Sequence, residues 1–105
     1  MALLHLTNAN FDETLKSSNP VLVDFWAPWC GPCKMLGPVF EEVSKGFEDK
    51  AVFGKVCVDD EGELAKKYSV MSIPTIIVFK GGKEIERSVG YIDNTELENL
   101  VKKHI

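Results

Sequence analysis

The run Val21-Leu22-Val23-Asp24-Phe25-Trp26-Ala27 limits the fold more than any other stretch of the chain. It is of strand length, partly β-branched and apolar at successive positions, so it reads as a central strand buried on both faces. Only Asp24 interrupts it. A carboxyl carried into the interior by such a strand is desolvated, which raises its pKa. The chain has 105 residues, 45% of them hydrophobic, enough for one core and one domain over residues 1–105.

The periodicity changes several times around this strand. Leu3, Leu4 and Leu6 suggest a short first strand, and Asn8 is read as the N-cap of a short helix carrying Phe11 and Leu15. After Gly31 and Pro32, the residues Leu36, Val39, Phe40, Val43 and Phe47 recur at helical spacing. They predict a long helix that starts at Cys33 and is kinked at Pro38. Val52 to Val58 reads as a third strand, and Asp59, Asp60, Glu61 and Glu63 as solvated acids at the start of a helix toward Tyr68. Thr75 to Phe79 and Ile85 to Val89 flank Gly81-Gly82, a hairpin signal. Asp93 and Glu96 form a capping box for a last helix with Leu97, Leu100 and Val101 as its buried stripe. The order β, α, β, α, β, α, β, β, α implies a mixed sheet with helices on both faces, an α/β sandwich.

Charged residues make up 27% of the chain, and the net charge of −4 comes with lysines scattered among the acids. No basic stripe for nucleic acid or an anionic membrane results, so protein or small-molecule partners are expected. No stretch reaches the roughly 18 apolar residues of a membrane span, and Met1 to Leu6 lacks the charged lead and apolar run of a signal peptide. The cytoplasm is the expected location. In that reducing setting three cysteines do not make a disulfide framework, so their expected role is chemical.

Cys30 and Cys33 sit two residues apart where the buried strand hands over to a helix. The first sulfur is expected to face outward and the second to lie in the first helical turn. Unpaired N–H groups and the positive end of the helix dipole favour an anion there, lowering the Cys30 pKa below that of a free thiol. Gly31 permits a tight turn, and Pro32 presets φ where a helix would leave an N–H unpaired. Half of a zinc site is the competing reading, but only Cys57, His5 and His104 remain as further ligands and none completes a second paired motif.

The segment Trp26-Ala27-Pro28-Trp29-Cys30-Gly31-Pro32-Cys33-Lys34, followed by Ile73-Pro74-Thr75 and Gly90, resembles the thioredoxin family along essentially the whole chain. The resemblance implies a three-layer α/β/α sandwich with a central mixed five-stranded sheet. It implies that Cys30 attacks a substrate disulfide and that Cys33 resolves the mixed disulfide. It also implies a monomer with no bound cofactor, re-reduced from NADPH by a flavin-containing thioredoxin reductase, acting on disulfide-containing proteins. Pro74 aligns with the family's cis-proline, and Trp29, Gly31, Pro32, Ile73, Pro74 and Gly90 correspond to its apolar docking face. Asp24 is placed beneath Cys33 as its proton acceptor, with Lys55 nearby.

Taken alone, several of these residues have plainer readings. Asp24 can be a buried carboxylate satisfied by neighbouring donors, and Lys55 a strand lysine that reaches to water. Cys57, between Val56 and Val58, reads as a small buried hydrophobe. The same fold can also serve as a docking subunit whose thiols are not turned over. Against an oxidase or isomerase stands Pro32, because those branches of the superfamily usually carry a histidine there; a reductase is expected.

Overall fold

In the computed structural model, which describes residues 3–105, the elements run β1 (Leu3–His5), α1 (Phe11–Thr14), β2 (Val21–Trp26), α2 (Gly31–Gly46) and β3 (Val52–Cys57). They continue as α3 (Gly62–Lys67), β4 (Thr75–Lys80), β5 (Lys83–Val89) and α4 (Asn94–His104). Met1 and Ala2, which opened the stretch read for a leader, lie outside the described residues.

The strand expected to be central is central. The sheet order is β1-β3-β2-β4-β5, with β1, β3 and β2 parallel and β4 and β5 antiparallel to their neighbours. Hydrogen bonding on both edges lets the β2 main chain be buried without unpaired polar groups. Strand alternation then divides the core in two. Val21, Val23 and Phe25 pack with Phe11, Leu15, Leu64, Ile77 and Phe79 beneath α1 and α3. Leu22 packs with Leu36, Phe40, Phe53, Ile76 and Leu97 beneath α2 and α4. The result is a mixed five-stranded sheet between helical layers, as expected. Asp24, two residues after Leu22, lies on the α2 side of the sheet.

Local signals held where they were self-contained. Asp93 Oδ1 accepts from the Glu96 N–H at 2.9 Å, and Glu96 Oε1 accepts from the Asp93 N–H at 3.0 Å, completing the capping box. Gly81 and Gly82 both take positive φ, 62° and 80°, at the tip of the β4–β5 hairpin. Leu97, Leu100 and Val101 are buried along α4.

Four boundaries and one burial differ from expectation. Asn8 is not the N-cap of α1; Asn10 is, and its side chain makes no cap bond because it is occupied in stitching the turn, accepting from the Thr7 N–H and donating to the His5 carbonyl. The helix α2 begins at Gly31 and not at Cys33, since the Cys30 sulfur itself caps it. Phe47 falls just past its end. Asp59 and Asp60 precede α3 without capping it, and Glu61 is its N-cap residue without a side-chain cap bond. Cys57 is half-buried, not buried, at the last position of β3.

Candidate active site

Three chain segments meet at the end of β2. The first is the β2–α2 junction. Cys30 has extended backbone angles, φ −91° and ψ 117°, and its sulfur accepts the Cys33 N–H at 3.2 Å. A sulfur thus does what a serine or aspartate oxygen does at an ordinary N-cap, and an N–H dipole points at the atom that would carry thiolate charge. Pro32 occupies the second helical position, where its missing N–H leaves nothing unpaired. Cys30 and Cys33 are joined in a disulfide with Cα atoms 5.2 Å apart. The outward-facing first sulfur is only partly realised: Cys30 is 6% exposed and Cys33 4%. Both pack with Ala27, Trp26, Val58 and Ile73.

The second segment precedes β4. The Ile73–Pro74 peptide is cis, and the Ile73 carbonyl oxygen lies 3.8 Å from the Cys30 sulfur. The third follows β5: the Gly90 N–H donates to the Pro74 carbonyl at 2.8 Å, and Gly90 takes a φ of 97°, which glycine adopts without strain. The structure therefore brings Cys30, Ile73, Pro74 and Gly90 together. Trp29, Gly31 and Pro32 are exposed beside them, Ile73 and Gly90 are half-buried, and Pro74 is buried.

Trp29 is 68% exposed, yet its indole N–H donates to Asp59 Oδ2 at 2.9 Å. Asp59 is an exposed acid, as expected, and in addition tethers the aromatic ring next to Cys30. Met71, Val89 and Tyr91, also unanticipated, are exposed apolar residues flanking Ile73-Pro74 and Gly90 in the chain. Their adjacency to those segments was the available signal.

Asp24 is fully buried, and neither of its carboxylate oxygens has a hydrogen-bond partner among the described residues. Burial pushes its pKa from the ordinary 3.8 up to about 7, an effect that the Lys55 charge partly offsets. In the sheet Asp24 faces Lys55 across the β2–β3 ladder. The half-buried Lys55 extends its ammonium over the Trp26 ring, 4.8 Å from the ring centre. So a carboxyl that titrates near neutrality lies on the α2 side of the strand that delivers the cysteines. Among the described residues no group of three histidine, cysteine, aspartate or glutamate side chains is gathered to hold a metal ion. No described helix is long and apolar enough to cross a membrane.

A redox-capable cysteine pair at a helix start, facing a cis-proline, is a constellation that can exchange one disulfide for another. A family model described as Thioredoxin matches residues 2–103. The chain is similar to the thioredoxin of Staphylococcus aureus, with 47% identity over 105 residues that cover all of both chains. It is 45% identical over 97 residues to the thioredoxin of Alicyclobacillus acidocaldarius, covering 92% of each chain. It is also 43% identical over 105 residues to thioredoxin 1 of a Nostoc species, covering 99% of this chain and 98% of that one. The agreement of fold, site and full-length likeness places the chain in the thioredoxin family, as a thiol–disulfide oxidoreductase that reduces disulfides through Cys30 and Cys33.

Proposed function

We propose that the chain is a general protein disulfide reductase in which Cys30 is the nucleophile and Cys33 the resolving thiol. The observation that carries this reading is the Cys33 N–H directed at the Cys30 sulfur, which stabilises charge on Cys30 and not on its partner. The Cys30 thiolate attacks a substrate disulfide; a new S–S bond forms and one substrate sulfur leaves as thiolate. Cys33 then gives its proton to Asp24 and attacks Cys30, closing the Cys30–Cys33 bond and releasing the second substrate sulfur. The Lys55 charge keeps the Asp24 carboxylate available for that proton at neutral pH.

Trp29, Gly31, Pro32, Ile73, Pro74 and Gly90 form the docking face on which an extended substrate segment pairs with the Ile73 backbone. The family works without a bound cofactor, and the electrons come from NADPH through a flavin-containing thioredoxin reductase. The chain acts as a monomeric single domain over residues 1–105 in the cytoplasm. Trapping tests the roles: Cys33→Ser accumulates a mixed disulfide at Cys30 with a disulfide-bonded protein, and Cys30→Ser accumulates none. The reverse pattern overturns the assignment. Adding the flavoenzyme couples substrate reduction to NADPH oxidation one for one, and no NADPH consumption refutes the electron source.

A further inference from the structure

Ile73 and Pro74 come to the site at the end of a loop that leaves α3 at Tyr68 and enters β4 at Thr75. The far end of this loop is held by β5: Thr75 pairs with Val89, and the Gly90 N–H donates to the Pro74 carbonyl. The near end turns through Ser69, whose φ is 55°. That left-handed backbone is unfavourable for a residue with a Cβ, so the surroundings must hold it. Part of the hold is the Val70 N–H, which donates back to the Ala65 carbonyl at 2.8 Å. The rest comes from β5 again. Half-buried Arg87 donates from Nη2 to the Tyr68 carbonyl at 2.7 Å and from Nη1 to the Ser69 carbonyl at 3.4 Å. The first of these is a carbonyl that the end of α3 leaves without a helical partner. The guanidinium is itself held, because Nη2 also donates to Glu84 Oε1 at 2.7 Å and Nε to Glu84 Oε2. Such a two-point fork fixes the guanidinium plane. With side chains 29% and 32% exposed, the ion pair adds little stability of its own; its main consequence is where it aims the remaining N–H groups.

We propose that Arg87, aimed by Glu84, is a positioning residue that sets the Ile73 backbone for pairing with an extended substrate segment. That role rests on the docking reading of Ile73 and adds what shapes it. One strand grips the loop at both ends, Arg87 at the entry and Gly90 at the exit. Between the grips Met71 and Ser72 are exposed, and the Ser72 carbonyl accepts from Thr75 Oγ1. A substrate gains most from Ile73 when the loop already holds the bound shape, because ordering it at the moment of binding costs affinity. The bonds of Arg87 run to Glu84, Tyr68 and Ser69, so it acts on the docking backbone and leaves the Cys30 thiolate as it is.

Two disulfide-bonded peptides of one sequence test this, one of them N-methylated on the residues either side of a cysteine so that it cannot pair as a strand. Each is mixed in excess with reduced protein, and the second-order rate of Cys30–Cys33 closure is followed by tryptophan fluorescence. A small aromatic disulfide serves as a control without a peptide backbone. The parent is expected to prefer the unmethylated peptide by about fivefold or more, the worth of one net hydrogen bond. Arg87→Met keeps the length of the side chain and removes every donor. It is expected to cut the preference below about twofold and to leave the aromatic disulfide rate within about twofold. Glu84→Gln, at an exposed position, is expected to lower the preference partway and to change nothing further in the Arg87→Met background. It also carries the test if loss of Arg87 unfolds the chain. A preference unchanged in both variants overturns the proposal even where the melting temperature falls, because Arg87 then only caps α3. So does an equal loss of rate with all three disulfides, which moves the effect to Cys30. A parent without the preference refutes the docking reading itself, whereas a parent that has it and variants that keep it refute the positioning role alone.

Discussion

Removing the Asp24 carboxyl is expected to stabilise the protein at neutral and alkaline pH and to flatten its pH dependence. The carboxyl has a pKa of about 7 when folded, against an ordinary value of 3.8. The folded state therefore holds the proton more tightly than the unfolded state. For a carboxyl with a raised folded pKa, stability is greatest at or below the unfolded pKa, falls as pH rises through the interval, and levels off above the folded pKa. At about 1.4 kcal/mol per pKa unit, the interval corresponds to a loss of about 4 kcal/mol between pH 4 and pH 8. That is a large part of the roughly 5–15 kcal/mol that holds a typical domain together. Asp24→Ala abolishes this dependence but leaves a small void, at a cost of about 1 kcal/mol.

The variant should therefore be more stable than the parent by about 3 kcal/mol at pH 8, and equal or slightly less stable at pH 4. Urea unfolding of the oxidised proteins at pH 4, 5, 6, 7 and 8 measures the difference directly. Subtracting one curve from the other cancels distant groups such as Glu84 and Glu86, whose pKa values are lowered by hydrogen bonds to Arg87 and to His104 and Lys103 respectively. Parallel curves over pH 5 to 8, with a difference that stays below about 1 kcal/mol, would refute the claim that this carboxyl is buried uncompensated.

Three further outcomes follow from other contacts. Asp59→Ala frees the Trp29 indole and should raise KM for a protein disulfide by about fivefold, with Asp59→Asn restoring most of it; equal effects of the two changes would show that charge, and not the tether, matters. Gly54→Ala should lower stability by about 1–3 kcal/mol, because its Cβ would stand 2.5 Å from Leu6 Cδ1 and 2.8 Å from Leu6 Cγ; an unchanged melting temperature would mean that the Leu6 side chain simply moves aside. Cys57→Ser should leave turnover intact while abolishing alkylation of the oxidised protein, since Cys57 is its free thiol; a loss of turnover would make Cys57 part of the redox machinery.

How much could be read in advance depended on how far apart the interacting groups are in the chain. The Asp93–Glu96 box and the Gly81-Gly82 turn are local, and their residue types state their geometry. The burial of β2 was legible because an apolar run of that length has few other uses. The start of α2 was misplaced because a cysteine sulfur is not among the usual caps, yet at Cys30 it accepts the N–H three residues on. The Trp29–Asp59 bond spans 30 residues and depends on the parallel register that sets Trp26 opposite Cys57. No spacing rule contains that register. The nearness of Ile73 to Cys30 was likewise visible only through family likeness, since nothing in an Ile-Pro-Thr triplet says which thiol it faces.

The bond between Cys30 and Cys33 closes a loop only three positions long, inside a turn that the helix start already organises. Cross-linking so short a loop restricts the unfolded chain by only about 2 kcal/mol of entropy, less than half of what a bridge across a whole domain removes. Opening it consequently costs about 2 kcal/mol of the roughly 5–15 kcal/mol that holds a typical domain together. At about 4–8 °C per kcal/mol for a domain of this size, the reduced form is expected to melt about 10 °C below the oxidised one, on the same architecture. Whatever favours the closed bond in the fold also widens the stability gap between the two forms, so redox behaviour and thermal endurance are coupled through the atoms around two sulfurs.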